Sequence, residues 1–202
     1  MDKKIIAAII AVIIILLGAY LFAYVPYMNE ENNKNYNAGL QAASAIDQKI
    51  NESYTQSGQV NSSDESNRIE STTKLMKDFE SQYDEKIEIL NNTRSYANGN
   101  ITKEQYIDYE IQIAQLEKEM ASEMVKEYED FGDALNKTDV VKMMNASDQM
   151  IKTINSKNDE AIPIKENILK LLGDNPDFNQ TLHSLNLTED YYGEMNLTHI
   201  NT

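Results

Sequence analysis

The sequence predicts an all-α fold: an N-terminal transmembrane helix followed by an extracytoplasmic antiparallel four-helix bundle with long, coiled-coil-like helices. Three observations predict it. Residues 5–25 form an uncharged apolar run directly after Lys3 and Lys4. Apolar residues then recur every three or four positions, which is the spacing of one helical face. Only 7 glycines and 3 prolines occur in 202 residues, whereas a sheet needs turn signals about every 8–12 positions.

The apolar run has the length of a membrane span. At about 1.5 Å per helical residue it extends roughly 30 Å, which matches the hydrocarbon core of a bilayer. A cleavable signal peptide is the alternative, but its apolar stretch is about 7–15 residues long and ends at a pair of small residues. Positions 19–23 offer only poor pairs of that kind. Because segment 1–4 is basic whereas Glu30 and Glu31 follow the run, we expect a retained, single-pass signal-anchor in the cell membrane. The N-terminus is then cytoplasmic and the domain extracytoplasmic.

Residues 26–176 divide at short breaks into four stretches with helical periodicity. The first two predicted helices cover about 29–56 and 64–97, the third contains the stripe from Tyr106 to Leu135, and the fourth covers about 138–172. Short connections make successive helices antiparallel neighbours. The first and third turns should therefore lie far from the membrane and the second turn near it.

The apolar stripes of the third and fourth stretches define their predicted core faces. The third stripe has a mean step of about 3.6 residues, the period of an undistorted helix, and contains Tyr106, Tyr109, Ile113, Leu116, Met120, Met124, Tyr128, Phe131 and Leu135. The fourth contains Val140, Met144, Ser147, Ile151, Ile154, Asn158, Ala161, Ile168 and Leu172.

Two prolines and the C-terminal region qualify this pattern. Pro163 predicts a kink or a short break near residues 158–163, and Pro26 predicts a bend directly after the anchor, because proline lacks a backbone donor and disfavours helical angles before it. Residues 177–202 lose the helical period. They predict a polar, partly disordered tail in which Leu182 and its apolar neighbours form at most one short docking helix.

Composition and motifs exclude several functions. A net charge of −15, from 33 acidic and 18 basic residues, disfavours nucleic acid as a partner, and the lack of cysteine excludes disulfides and thiolate chemistry. The two histidines, His183 and His199, lie in the tail, and no Glu-x-x-His motif, glycine-rich phosphate loop or Gly-x-Ser-x-Gly elbow is present. Met120, Met124 and Met144 favour core filling over metal binding. We expect no enzymatic activity, no catalytic residues, no metal and no cofactor.

Candidate N-glycosylation motifs are more frequent than chance predicts. Random placement of the Asn, Ser and Thr residues of this chain gives roughly 2.6 matches to Asn-x-Ser/Thr. The motifs found begin at Asn51, Asn61, Asn91, Asn100, Asn136, Asn145, Asn179, Asn186 and Asn196. We expect sugars at the turns, on Asn61, Asn100 and Asn136. Asn145 should be modified poorly, because the helical period places it at the edge of the buried face.

Two function classes fit these expectations. The first is a membrane-anchored surface module with a structural or protein-interaction role, and the second is a ligand-sensing bundle with a pocket among Tyr83, Tyr106, Tyr109 and Tyr128. The second layout resembles the periplasmic sensor domains of chemoreceptors, but no second transmembrane helix follows here. A signal would therefore leave through a membrane partner. The expected partners are the membrane, through residues 5–25, an unidentified protein and, through the apolar stripes, a second copy of the chain.

Overall fold

The computed structural model describes residues 13–57 and 65–187, which form helices and short turns, with no strand among them. The all-α prediction is therefore confirmed for this part of the chain. The helices are α1 (Val25–Ser57), α2 (Glu65–Arg94), α3 (Ile101–Asn136), α4 (Val140–Asp174) and α5 (Pro176–Ser184). A π-helical turn (Tyr20–Tyr24) precedes α1, and a 3-10 turn (Ser95–Ala97) follows α2.

The apolar segment continues into α1 without a break. Proline normally leaves the carbonyl four residues earlier without its helical donor, and its ring presses on that carbonyl. Here the π-helical turn widens the helix directly before Pro26, because the Val25 N–H donates to the carbonyl of Tyr20, five residues back. One helix, Ile13–Gln56, is consequently long and apolar enough to cross a membrane. The helix is therefore uninterrupted at Pro26, and a bend of its axis there stays a prediction.

Successive helices run antiparallel, as ion pairs between α2 and α3 show. Lys77 pairs with Glu129 at 2.7 Å, whereas Arg94, at the opposite end of α2, pairs with Asp108 at 3.0 Å. Close backbone contacts join α1 to α2, α2 to α3 and α3 to α4. We call the end of this helical unit from which segment 13–24 projects the basal end, and the opposite end the distal end.

The basal half contains the larger apolar core. Every one of the helices α1 to α5 contributes to it, and its buried members are Tyr36, Leu40, Ala43, Leu90, Ala97, Tyr106, Ile107, Ile113, Ile168, Leu172 and Leu182. From α5, Leu182 is fully buried, and the Phe178 ring meets the Tyr106 ring edge-on with centroids 5.4 Å apart. α5, which lies in the segment predicted as a tail, thus packs on this core as the one short docking helix that the sequence allowed. A helix of nine residues is too short to show a clear period.

The distal half has a smaller core, formed by α1, α2 and α3. Its buried residues are Ile46, Ile50, Phe79 and Ala121. The N-terminal part of α4 adds no large apolar residue to it, because Val140 and Met144 are exposed while Ala146 and Thr153 are buried. The predicted register of this part of α4 is wrong: its buried face carries small and polar residues, which the count of apolar positions missed.

The structure also bears on two further predictions, one about Pro163 in α4 and one about the buried face of α3. The short break predicted near 158–163 is absent, since α4 runs continuously through Pro163, while the kink predicted there as the alternative stays a prediction. Both Pro163 and Asp159, whose carbonyl loses its helical donor, are exposed, so water can replace that donor. In α3, Leu116 and Met120 are only half-buried, as is Tyr109. They lie beside the most buried face because α3 packs against both α2 and α4.

Candidate functional site

A layer of charged residues lies between the basal and distal apolar cores. It is formed by Asp47 of α1, Lys86 of α2, Glu110 and Glu117 of α3, and Lys165 of α4. Lys86 is 4% exposed, and Glu110 and Lys165 are each 8% exposed. Ionisable side chains are rarely buried to this extent unless they are paired. This charged layer is therefore the most chemically distinctive site in the described residues.

Lys86 is the centre of the charged layer. Its Nζ donates to both carboxylate oxygens of Asp47, at 2.7 and 2.8 Å, and lies 3.9 Å from Oε2 of Glu110. Burial disfavours the charged ammonium, but Glu117, Glu110 and Asp47 together outweigh that penalty and raise the pKa of Lys86 above its ordinary value. Lys86 is therefore held as a cation, and it ties α1 to α2 and α3.

Glu110 has the opposite balance. Burial raises the pKa of its carboxyl, and the nearby charge of Asp47 adds to the rise, although Lys86, a hydrogen bond with Tyr106 and Lys165 oppose it. Its Oε1 has no hydrogen-bond partner among the described residues. An unpaired buried carboxylate oxygen is costly, so Glu110 is the group in this layer whose charged form costs most.

A second set of polar contacts fixes the basal end of α3 against α1. The Tyr36 hydroxyl donates to the backbone carbonyl of Lys103 at 3.0 Å. The Lys103 ammonium lies 4.5 Å from the centre of the Tyr36 ring and donates to Oδ1 of Asn33 at 2.5 Å. Burial, with a contribution from Glu110, raises the pKa of the Tyr36 phenol far above its ordinary value. Tyr36 is thus a neutral, fully buried anchor.

The charged layer favours one axial alignment of the helices. Each charged group finds an opposite charge on another helix, so an axial slip would leave a buried charge without compensation.

No cluster of three or more His, Asp or Glu residues with metal-binding spacing occurs in residues 13–57 and 65–187. The search for apolar stripes missed the charged layer, because it gave no weight to charged residues at core positions. The sequence does contain a signal for Lys86, which follows Phe79 and Tyr83 and precedes Leu90 at steps of three or four residues, the spacing of one helical face.

The four predicted pocket tyrosines do not converge. Tyr106 is buried in the basal core with Tyr109 against it, and Tyr83 packs against the distal core. Tyr128 lies on the same helix as Tyr106 but 22 residues further on, which corresponds to roughly 33 Å. They cannot line one pocket.

Tyr128 instead lines an open groove between α2 and α3 at the distal end. The groove has a volume of about 580 Å³, and Ile69, Thr73 and Gly132 form part of its wall. The ion pair between Lys77 and Glu129 lies at its edge. Its width and polar lining differ from the enclosed, mostly apolar sites that bind small molecules tightly.

The glycosylation motifs are mainly on the surface. Asn51, Asn91, Asn100, Asn136, Asn145 and Asn186 are exposed, and Asn179 is half-buried. Asn61 and Asn196 lie outside the described residues, as does His199. The predicted position of Asn145 at the edge of the buried face is wrong. The buried face of α4 is rotated from the predicted one, so Asn145 is exposed to solvent. Asn100 also caps α3, its Oδ1 accepting from the Lys103 N–H at 3.1 Å.

Two groups of exposed apolar residues occur beside separate ones such as Tyr54, Ile101 and Ile162. The larger is the segment before α1, including Ile15, Leu16 and Phe22, which packs against nothing in the described chain. The smaller is at the distal end of α4, where Val140, Val141 and Met144 are exposed together; we call it the distal patch.

Comparison with known proteins gives no relative: no family model, no curated protein and no solved structure matches the chain.

Proposed function

We propose that the protein is a single-pass membrane protein whose extracytoplasmic helical module has a structural or protein-interaction role. The observation that carries the proposal is the continuity of the helix Ile13–Gln56. Its first part exposes bulky apolar side chains, whereas from Tyr36 onward its residues enter the core. One helix of about 66 Å thus joins the membrane segment to the folded module.

Aromatic residues support the placement of this helix in a bilayer. Tyr20, Tyr24 and Tyr27 are exposed at the end of the apolar run, and the first two rings stack with centroids 5.5 Å apart. Tyrosine favours the membrane–water interface, where its ring is in an apolar and its hydroxyl in a polar environment. The basic residues before the run and the acidic residues after it favour an outside location for the module, in agreement with the sequence prediction.

The proposed architecture of the module is a four-helix bundle. The basal core, to which α1 and α4 both contribute, supports a closed bundle at that end. Its distal patch supports the interaction role, because three apolar side chains at the end furthest from the anchor are available to another protein or to a second copy. N-linked sugars on the exposed asparagines are part of the same proposal.

A ligand-sensing role is the second candidate. The distal groove favours it, since Tyr128 and the charged pair Lys77–Glu129 offer stacking and polar contacts to a small molecule. The openness of the groove makes us rank this role below protein interaction.

The absence of cysteine allows a direct test of topology. Single-cysteine variants Lys3→Cys and Val141→Cys would be treated in intact cells with a maleimide that does not cross membranes. We expect labelling at position 141 in intact cells and at position 3 only after lysis. Labelling at position 3 without lysis would contradict the orientation, and recovery of the protein in the soluble fraction would contradict the anchor.

A further inference from the structure

We propose that the basal turn between α2 and α3 (residues 95–101) rests on the surface of the bilayer, with the Ile101 side chain inserted among the lipid headgroups. The contact would make the module a membrane-seated unit instead of one held away on a stalk. This inference rests on the proposed anchorage through residues 5–25, and the experiment below separates the failure of one from the failure of the other.

The height of the turn above the membrane is fixed by a hydrogen bond. The side-chain amide of Asn98 donates to Oδ1 of Asn29 at 2.9 Å. Asn29 lies four residues after Val25, the last residue of the apolar run, which corresponds to roughly 6 Å along the helix axis. A bilayer of about 40–45 Å with a hydrocarbon core of about 30 Å has polar layers of roughly 5–8 Å on each side. The Asn98 contact therefore lies at the depth of the headgroups or just above them.

The start of α3 is held slightly higher, because the partners of Lys103 on α1 lie 8 and 11 residues after Val25, roughly 12 and 16 Å along the helix axis; Ile101, the first residue of α3, is the one nearest the level of Asn98. Lys103 contacts Asn33 and Tyr36 of α1 through the bonds described above. Ile101 lies two residues before Lys103, toward the basal end. These contacts join α3 to the same helix that leaves the membrane, so the turn has little freedom to lift away.

The direction of the Ile101 side chain completes the geometry. Ile101 is the first residue of α3, and Cα–Cβ bonds in a helix tilt toward its N-terminus. For α3 the N-terminus is the basal end, so the side chain is directed toward the membrane. It is 68% exposed, and the Tyr96 ring of the same turn is partly exposed. Transfer of such a side chain from water to the apolar part of the interface is favourable.

Lipid is the occupant that this geometry favours. The anchor brings the bilayer to within about one helical turn of Asn98, whereas a protein partner would have to enter the space between the module and the membrane. The net charge of −15 disfavours attraction to anionic lipid. The contact therefore depends on the apolar side chain, and it should form on zwitterionic vesicles as well.

The test uses the full chain in phosphatidylcholine vesicles. Single-cysteine variants Ile101→Cys and Tyr96→Cys would carry an environment-sensitive fluorophore, and lipids with a spin label at the headgroup or shallow acyl positions would quench it. Val141→Cys is the matched control, since Val141 is also 68% exposed near the start of a helix, but at the distal end. We expect blue-shifted emission and loss of fluorescence at positions 101 and 96 and neither at 141.

A fourth variant, Leu16→Cys, reports on the anchor through quenching by deep acyl spin labels. Quenching at position 16 without quenching at 101 and 96 would overturn the inference and leave the anchor intact. Absence of quenching at all three positions would overturn the anchor and the inference together. Equal quenching at 101 and 141 would also overturn the inference, because it would mean that the module lies along the membrane instead of standing on its basal turn.

Discussion

In the basal half of the module, five helices close around Tyr36 and Tyr106, whereas in the distal half only α1, α2 and α3 share an apolar core. The distal half instead has an open groove and the distal patch on α4. The charged layer around Lys86 separates the two halves. Tight packing is thus concentrated at the end nearest the proposed membrane, whereas the exposed Val140, Val141 and Met144 lie at the far end.

This difference predicts that the two halves contribute unequally to the free energy of unfolding. The basal half should contribute more, because it has the larger apolar core. The distal half should contribute less, because its apolar core is smaller.

Removing the buried cation should have the largest effect. Lys86→Met keeps a side chain of similar length but leaves Asp47 and Glu110 without their shared partner. Loss of one member of a buried ion pair typically costs about 3–5 kcal/mol. We expect a loss of that order in the free energy of unfolding, measured by urea denaturation in detergent. The surface variant Lys77→Met, which breaks an exposed pair with Glu129, should cost at most about 1 kcal/mol. Equal effects would mean that the charged layer is no more important than the surface.

A pair of isoleucines on α4 compares a core position with a surface position directly. Ile168 is fully buried in the basal core, and Ile162 is 45% exposed on the same helix. Ile168→Ala should lower the free energy of unfolding by about 2–5 kcal/mol, because it removes buried apolar surface and leaves a cavity. Ile162→Ala should change it by no more than about 0.5 kcal/mol. Similar losses for both variants would show that α4 is rotated relative to this structure.

The contrast between these isoleucines also shows what the sequence could and could not predict. The approximate bounds and antiparallel order of α1 to α4 follow from the spacing of apolar residues and from short turns, and at Ile168 and Leu172 the predicted core face is confirmed. In the N-terminal part of α4 the same reasoning fails. There the small Ala146 and the polar Thr153 are the buried residues, and a hydrophobicity pattern gives such residues little weight.

The charged layer could not be predicted for a different reason. Lys86 and Glu110 lie at core positions by helical spacing, but a charged residue in isolation favours a solvated face. Only the three-dimensional arrangement shows that Asp47, far away in sequence, supplies the compensating charge. Local patterns in the sequence indicate where each charged residue lies on its helix, but not which charged residue of another helix it pairs with. That pairing is what makes the burial of these charges tolerable.

A close approach of α1 and α2 in the basal half gives a third comparison, between two glycines. A Cβ added at Gly39 would lie 2.0 Å from Oγ1 of Thr93, which is itself buried and bonded to the carbonyl of Ile89. Gly39→Ala should therefore cost about 1–3 kcal/mol through overpacking. Gly173→Ala, where nothing lies within 4 Å, should be neutral or stabilise by up to about 1 kcal/mol through helix propensity. Stabilisation by both substitutions would contradict the close approach of the two helices.

The pH dependence of stability should report on Glu110. Its folded pKa is raised from the ordinary value of 4.5, so its favourable contribution is fully present below pH 4.5 and is lost as the pH rises through the folded value. Glu110→Gln removes this titration. We expect the thermal midpoint of the native protein to fall relative to that of the variant as the pH is raised from 4 to 7. A constant difference across this range would mean that Glu110 is ionised without penalty.

The last comparison concerns two glycosylation motifs, one basal and one distal, whose asparagines are both exposed. Asn91, on the basal part of α2, is followed by Thr93, which is 3% exposed and held against Gly39; Asn145, on the distal part of α4, is followed by Ser147, which is exposed. The transferase must reach the hydroxyl residue as well as the asparagine, so modification after folding should favour Asn145 over Asn91. Site-resolved mass spectrometry of protein from a glycosylating host should show that order. Gly39→Leu, which separates α1 from α2 at Thr93, should raise occupancy at Asn91 and leave Asn145 unchanged. Equal occupancy at both sites in the native protein would mean that sugars are added before the basal core forms, and unmodified asparagines throughout would make the excess of motifs a coincidence.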